Sequence, residues 1–496
     1  MLKIRNEIAL VILAILAGFL CMLQYTLNAG ALAQTLLPLI ALAAFYAFPI
    51  VIDMSLFKVV AAFAFLVVLL DESYNLPFYE GNPPSEMLGP LLFDRLHVLL
   101  GIPGWHFTGF EVISLMLVGV SLLHRRFTSK PQNALTSDKL IPWMILSLPC
   151  AALFAVFYGM LRGNDFGIAM TQNRFLPVLG CWLYLGYASY KCPEHAENIF
   201  LILTVATVLK CIEAWYVFIF DFNLHLGSRE YLIDHVASEA IAMSMLYVAY
   251  VWWHRRQHIL HDIAAFVLIA VMIGPYLINL RRTSFLGLGL TLMMLPLIYP
   301  MSVRMRHITG AALLAGIAAL LVIVTWNLPP PLGAISAPIK RFTSPPPPGE
   351  FDYRDVENYN NYRSIMNAPI QGRGFGVTLA RYIPLLDIST VYPLYETVPH
   401  NNVLFIWANG GPIAMAAFAA TVAFSFAVCL RLSREARTPG ARLLGFLGWG
   451  MVLRWLVYCW ADLGLAFFRL PAVLGLIVGM AIKALAHERK GAMNGS

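Results

Sequence analysis

Residues 399–430 read PHNNVLFIWANGGPIAMAAFAATVAFSFAVCL. After Pro399-His400-Asn401-Asn402 the chain stays apolar for longer than the ~20 residues a helix needs to cross a bilayer. Before this stretch, from Asn327 onward, lies the one long polar segment of an otherwise apolar chain. A polar segment that closes on His-Asn-Asn and then enters a span reads as an outward loop. Such a loop carries a catalytic or binding site onto a bundle of membrane helices.

The rest of the chain agrees with a membrane setting. Of its 496 residues 59% are hydrophobic and only 12% charged, and mean hydropathy is +0.71. Soluble domains carry roughly 25% charged residues, so a water-soluble fold is excluded as the class. Apolar runs predict helices near 7–25, 31–50, 56–70, 108–124, 140–160, 173–190, 198–220, 236–253, 259–280, 284–300, 308–326, 401–430, 442–461 and 465–486. The first of these follows Lys3 and Arg5 and reads as a span rather than a cleaved leader. The expected fold is all-α: a polytopic membrane helix bundle of about 12–14 transmembrane helices, with a long outer loop containing short helices. Residues 1–326 form an N-terminal bundle of about 11 spans, 327–400 the long loop, and 401–496 the C-terminal helices.

Basic residues set the orientation. Lys3, Arg5, Lys58, Arg125, Arg126, Lys130, Lys139, Lys191, Arg255, Arg256, Arg304, Arg306, Arg431, Arg434, Arg437, Arg442, Lys483, Arg489 and Lys490 fall in one set of alternating loops, expected to be cytoplasmic together with both termini. On the opposite side the cations are nearly all arginine: Arg95, Arg162, Arg174, Arg229, Arg281, Arg282, Arg341, Arg354, Arg363, Arg373, Arg381 and Arg469, with Lys340. Arginine's planar fork suits bidentate contacts to phosphate, and it equally suits neutralising a carboxylate. The net charge of +7 belongs to membrane loops, and no basic patch interleaved with aromatics points to nucleic acid.

Several smaller features carry expectations. Residues 86–100 (EMLGPLLFDRLHVLL) are amphipathic and too short to span, so a helix lying on the membrane surface is expected, with a packed loop helix as the alternative. Lys210 and Glu213 share a helix face within a span and predict a structural ion pair. Arg454 also lies in a span, with no obvious local partner. His254, His258, His261 and Asp262 have helical spacing, but their cationic neighbours Arg255 and Arg256 argue against a metal. The seven cysteines are scattered without metal spacing and read as small buried hydrophobes. In the long loop, residues 352–366 (DYRDVENYNNYRSIM) predict a helix carrying Tyr359, Tyr362 and Arg363. The Gly372-Arg-Gly374-Phe-Gly376 run neither follows a strand nor opens a helix, so it predicts a tight chain reversal rather than a nucleotide loop.

Taken together, Arg363, the run Pro369-Ile370-Gln-Gly372-Arg-Gly374-Phe-Gly376, the step His400-Asn401-Asn402-Val403-Leu404 and the following Trp407-Ala-Asn-Gly410-Gly411 resemble the O-antigen ligase and polymerase superfamily of bacterial envelope glycosyltransferases. The specific likeness covers about 50 residues, and extends more loosely to Arg174, Arg281 and Arg282. The resemblance implies a bacterial inner-membrane enzyme with its active site on the periplasmic face. It would move a glycan from an undecaprenyl-pyrophosphate carrier to a sugar hydroxyl, without nucleotide, metal or other cofactor. The acceptor would be another lipid-linked repeat for a polymerase, or lipid A-core for a ligase.

The chemistry fits the residues. Carbon 1 of a glycosyl pyrophosphate is already activated, and fixed arginines can take up the charge left on the leaving group. Histidine titrates near neutrality and suits a base. His400 is the expected catalytic residue. Arg281 and Arg282, assisted by Arg174, would clamp the pyrophosphate. Arg363 and Tyr362 would contact phosphate or glycan, and Asn401 and Asn402 would orient His400 or the sugar. Other classes remain: a glycosyltransferase using Asp71 or Glu72 as an acidic base, a lipid-linked glycan transporter or flippase, and a non-catalytic envelope scaffold.

Overall fold

The computed structural model describes residues 55–72, 84–95, 107–128, 137–221, 232–234, 236–255, 259–279, 281–294, 323–327, 336, 353–389, 392 and 394–494. The helices are α1 (Leu56–Leu69), α2 (Pro84–Phe93), α3 (Gly109–Thr128), α4 (Ser137–Leu161), α5 (Phe166–Asn173), α6 (Phe175–Ser189) and α7 (Pro193–Tyr216). They continue with α8 (Ala237–Arg255), α9 (Ile259–Ile278), α10 (Arg282–Met294), α11 (Tyr353–Asn367), α12 (Asn402–Glu435), α13 (Pro439–Ala461) and α14 (Arg469–Asn494). Eleven of these match the expected apolar runs, because each run is long enough to satisfy its backbone only as a helix. The helices expected near 7–25 and 31–50, and nearly all of 308–326, lie outside the described residues.

The described part is a polytopic membrane helix bundle. Five of its helices are long and apolar enough to cross a membrane: α7 with the single π turn that follows it, α9, α12, α13 and α14. Shorter apolar stretches occur in α1, α3, α4 and α6. α13 and α14 are apolar nearly all round, which is how a helix enclosed by others reads. α14 lies against α6 with backbones touching: a Cβ on Gly475 would meet the Leu179 carbonyl oxygen at 2.7 Å, and one on Gly479 would run into that of Leu183. This is the close approach that a small-xxx-small pair allows between membrane helices.

Two ends of the bundle are defined by contacts between remote segments. At the site end, Leu465 N–H donates to Asn402 Oδ1 (2.7 Å), Phe468 N–H to Glu72 Oε1 (2.7 Å), and Thr283 Oγ1 to Asp462 Oδ2 (3.1 Å). At the far end, Arg437 N–H and Thr438 Oγ1 donate to Glu488, at 2.9 and 2.7 Å, and the Phe57 ring stacks on His195 at 3.8 Å.

The polar segment is built in by a joint in α12. Gly411 leaves helical geometry (φ 64°, ψ −168°), and Pro412 has no N–H to return to Ala408. The Gly-rich turn supplies what is missing. Arg373 N–H donates to the Ala408 carbonyl and Gly374 N–H to that of Asn409, both at 2.9 Å. Gly376 N–H donates to Gln172 Oε1 at 2.8 Å, and its carbonyl accepts from Asp165 N–H at 3.0 Å. The run is thus the chain reversal expected from sequence, seated in the bundle.

α2 packs against the bundle, as the alternative reading of this stretch, a packed loop helix, has it. Ser85, Leu92 and Phe93 are buried, Gly89 has no room for a Cβ against the Asp71 carbonyl, and Phe93 stacks with Phe468 at 6.3 Å. The apolar face of residues 84–93 finds protein rather than lipid, and residues 96–100 lie outside the described residues.

Candidate functional site

α11 turns one face inward: Glu357, Asn360, Asn361, Ser364 and Ile365 are buried at helical spacing. This face brings Glu357 to His400. The His400 backbone N–H donates to Glu357 Oε2 at 2.9 Å, and Nδ1 lies 3.3 Å from both carboxylate oxygens. The Glu357 side chain is 1% exposed and that of His400 15%, so the ring is the accessible member of the pair. Tyr353 meets the ring edge-on at 5.9 Å, and Tyr392 lies against it at 5.5 Å. With Nδ1 committed to the carboxylate, Nε2 is the ring nitrogen left for an incoming group. A carboxylate in this position fixes the ring's orientation and offers a counter-charge when it takes up a proton.

The two asparagines hold the backbone around the histidine. Asn401 caps α12, accepting from Leu404 N–H at 3.1 Å. Asn402 is fully buried; its Nδ2 donates to the Pro399 carbonyl (2.8 Å) and its Oδ1 takes Leu465 N–H. The turn from Asp462 to Phe468 is therefore the seat of the site. Arg354, on α11, donates to the Ala461 carbonyl at 2.6 Å. On another side of this seat Asp462 accepts from Thr283, which follows Arg281 and Arg282 at the start of α10. Arg281 is buried, two residues before Thr283.

The remaining predicted residues sit elsewhere. Arg174 joins α5 to α6, buried, with Nη2 at 2.8 Å and Nε at 3.3 Å from the two oxygens of Glu111 and its guanidinium 5.0 Å from the Phe468 ring. Its fork faces a carboxylate. Tyr362 and Arg363 are exposed on the face of α11 opposite Glu357, with Arg363 over the Tyr382 ring at 5.9 Å. They face away from Glu357, the residue that holds His400.

No protein-family model and no curated protein matches this chain.

Asp71 and Glu72 belong to a buried ionic cluster that meets the 462–468 seat where Glu72 accepts the Phe468 N–H. Asp71 pairs with Lys210 and accepts from Ser85 Oγ (2.7 Å), and Arg469 pairs with Asp234 and approaches Asp71 and Glu72 at 3.9 Å each. Burial pushes the Glu72 carboxyl up to about 7, against the pull of Arg469 and two backbone N–H groups. Neither carboxylate is open to an incoming hydroxyl. The ion pair expected between Lys210 and Glu213 is corrected here: Lys210 turns to Asp71 and the Leu69 carbonyl, while Glu213 accepts from Ser85 N–H at 2.9 Å. Arg454 has its partner in Glu239, 3.3 Å away, on another helix. Of the histidine group, His254 Nδ1 contacts the Tyr250 carbonyl at 2.9 Å, and Asp262 accepts from the Trp252 indole at 2.6 Å; His258 lies outside the described residues.

Sequence reasoning missed Glu357 and the 462–468 seat, and placed Arg354 on the outer side without assigning it to the site. No hydropathy signal marked Glu357, because its neighbours on the buried face, Asn360, Asn361 and Ser364, are polar and give the helix no apolar stripe.

Proposed function

We propose that this chain transfers a glycan from an undecaprenyl-pyrophosphate carrier to a sugar hydroxyl at the outer face of a bacterial inner membrane. It would do so as a repeat-unit polymerase or an O-antigen ligase. The observation that carries this reading is the His400–Glu357 pair, where the polar segment meets a membrane helix. The likeness of residues 363–411 to the ligase and polymerase superfamily supplies the substrate class.

In this reading the acceptor hydroxyl gives its proton to His400 Nε2 as its oxygen forms a bond to carbon 1 of the donor sugar. The bond from carbon 1 to the pyrophosphate oxygen breaks, and the electron pair leaves with the carrier. Arg281 and Arg282 sit at the same end and take up that charge. Attack opposite the leaving group inverts the anomeric centre. Arg174, with its fork on Glu111, steadies the bundle near Phe468 rather than clamping phosphate directly. The buried, ion-paired state of Asp71 and Glu72 favours His400 over an acidic base.

The test is rescue of a deletion strain by the wild type or His400→Ala, with membrane level checked and surface glycan resolved on a gel. His400→Ala present in the membrane but failing to rescue is expected. Single repeats on an intact acceptor would then mark a polymerase, and carrier-bound long chains with bare lipid A-core a ligase. Full rescue would overturn the catalytic role and favour transport or scaffolding.

A further inference from the structure

The outward face of α11 changes character along its length. Asp355, Tyr359, Tyr362 and Met366 recur at intervals of four, three and four residues, so they form one stripe along the helix, and all are exposed. Ile370 follows just past the helix end and is 76% exposed. From the outer end downward the stripe therefore reads acid, tyrosine, tyrosine, thioether, aliphatic. Arg363 lies beside Tyr362 and over the exposed Tyr382 ring.

The lower end of this stripe runs into the surface of a membrane helix. Gly411 has no room for a Cβ because the Ile370 carbonyl is against it. Trp407 Nε1 donates to the Pro369 carbonyl at 3.4 Å, and Ile413, two residues beyond the joint, is 68% exposed. Ile370 and Ile413 thus both stand exposed beside the joint. The order of side chains along the stripe is that of a bilayer boundary: charge in water, tyrosine and arginine at the headgroups, aliphatic groups in hydrocarbon. A glycan platform would account for the tyrosines but not for Met366 and Ile370 below them.

We infer that α11 descends obliquely into the membrane interface, with Tyr359, Tyr362 and Arg363 at the phospholipid headgroups and Met366 and Ile370 in the acyl boundary. The partner of this face is the lipid surface itself. The opposite face of the same helix holds Glu357 against His400, so the anchor sets the height of His400 above the bilayer. From Glu357 to Ala368, which stands where the turn begins, the helical rise is on the order of 16 Å. The inference stands on exposure and packing, and holds whether or not His400 is catalytic.

The test places the photo-crosslinker benzoylphenylalanine at position 366, 370 or, as the outer control, 355 of the full chain in liposomes of radiolabelled phosphatidylethanolamine and phosphatidylglycerol. Gel filtration beforehand selects variants that behave as wild type. Phospholipid adducts at 366 and 370 should exceed those at 355 several-fold. Equal adduct yields at all three positions would overturn the inference. So would crosslinks to a second copy of the chain at 370, or adducts at 366 and 370 that free oligosaccharide suppresses as the occupant of the stripe.

Discussion

His400 and Glu357 stand 43 positions apart, and their pairing gives the histidine its direction. An imidazole at a loop–helix junction can rotate, whereas one clamped at both its backbone N–H and Nδ1 presents a single nitrogen outward. Glu357→Gln keeps an acceptor for the His400 N–H but removes the counter-charge to the ring. The expected result is normal membrane level with glycan transfer reduced by about 10²-fold or more, the scale of general base catalysis, measured with purified enzyme and lipid-linked donor. Transfer within a few-fold of wild type would deny Glu357 that role. Arginines show the same dependence on partners. Arg174, Arg454 and Arg469 meet Glu111, Glu239 and Asp234, because a guanidinium withdrawn from water needs a carboxylate. Sequence alone could not separate such arginines from ones available to phosphate.

At the scale of elements, the Gly-rich turn and the Gly411-Pro412 break are two halves of one joint. Proline frees a carbonyl in α12 and the turn returns an N–H to it, so neither half is satisfied without the other. Two glycines of positive φ separate backbone strain from crowding. At Gly163 (φ 81°) an added Cβ would have nothing within 4 Å, whereas at Gly374 (φ 75°) it would stand 2.5 Å from Gly159 Cα. Gly163→Ala should cost about 1–2 kcal/mol, the usual penalty of the left-handed region. Gly374→Ala should cost clearly more and lower the thermal midpoint in detergent further, since α4 and the turn must part. Equal midpoints for the two variants would show that the turn does not depend on that contact.

For the whole molecule, the contacts sort the helix termini into two ends. The ends of α1, α4 and α13 and the starts of α10, α12 and α14 gather with the site. The α12–α13 turn, the start of α7 and the end of α14 gather at the other. Lys58, Lys191 and Lys483 all lie toward that far end, which is the end the positive-inside tendency assigns to the cytoplasm. An alkaline phosphatase domain inserted near residue 385 should be active, and a green fluorescent protein inserted near residue 438 should fluoresce. The reverse pattern would invert the orientation and remove the outer-face setting of the proposed reaction.

The sequence by itself determined the membrane class, the position of most helices and the chain reversal at Gly372–Gly376. These follow from hydropathy, helical spacing and backbone freedom, which are properties of neighbouring residues. Tertiary structure decided the rest: that His400 belongs with Glu357, that Lys210 belongs with Asp71 rather than Glu213, that residues 84–93 pack inward, and that Tyr362 and Arg363 face away from Glu357. A buried charge takes whichever partner the packing brings within a few ångströms, and the distance along the chain has no bearing on that.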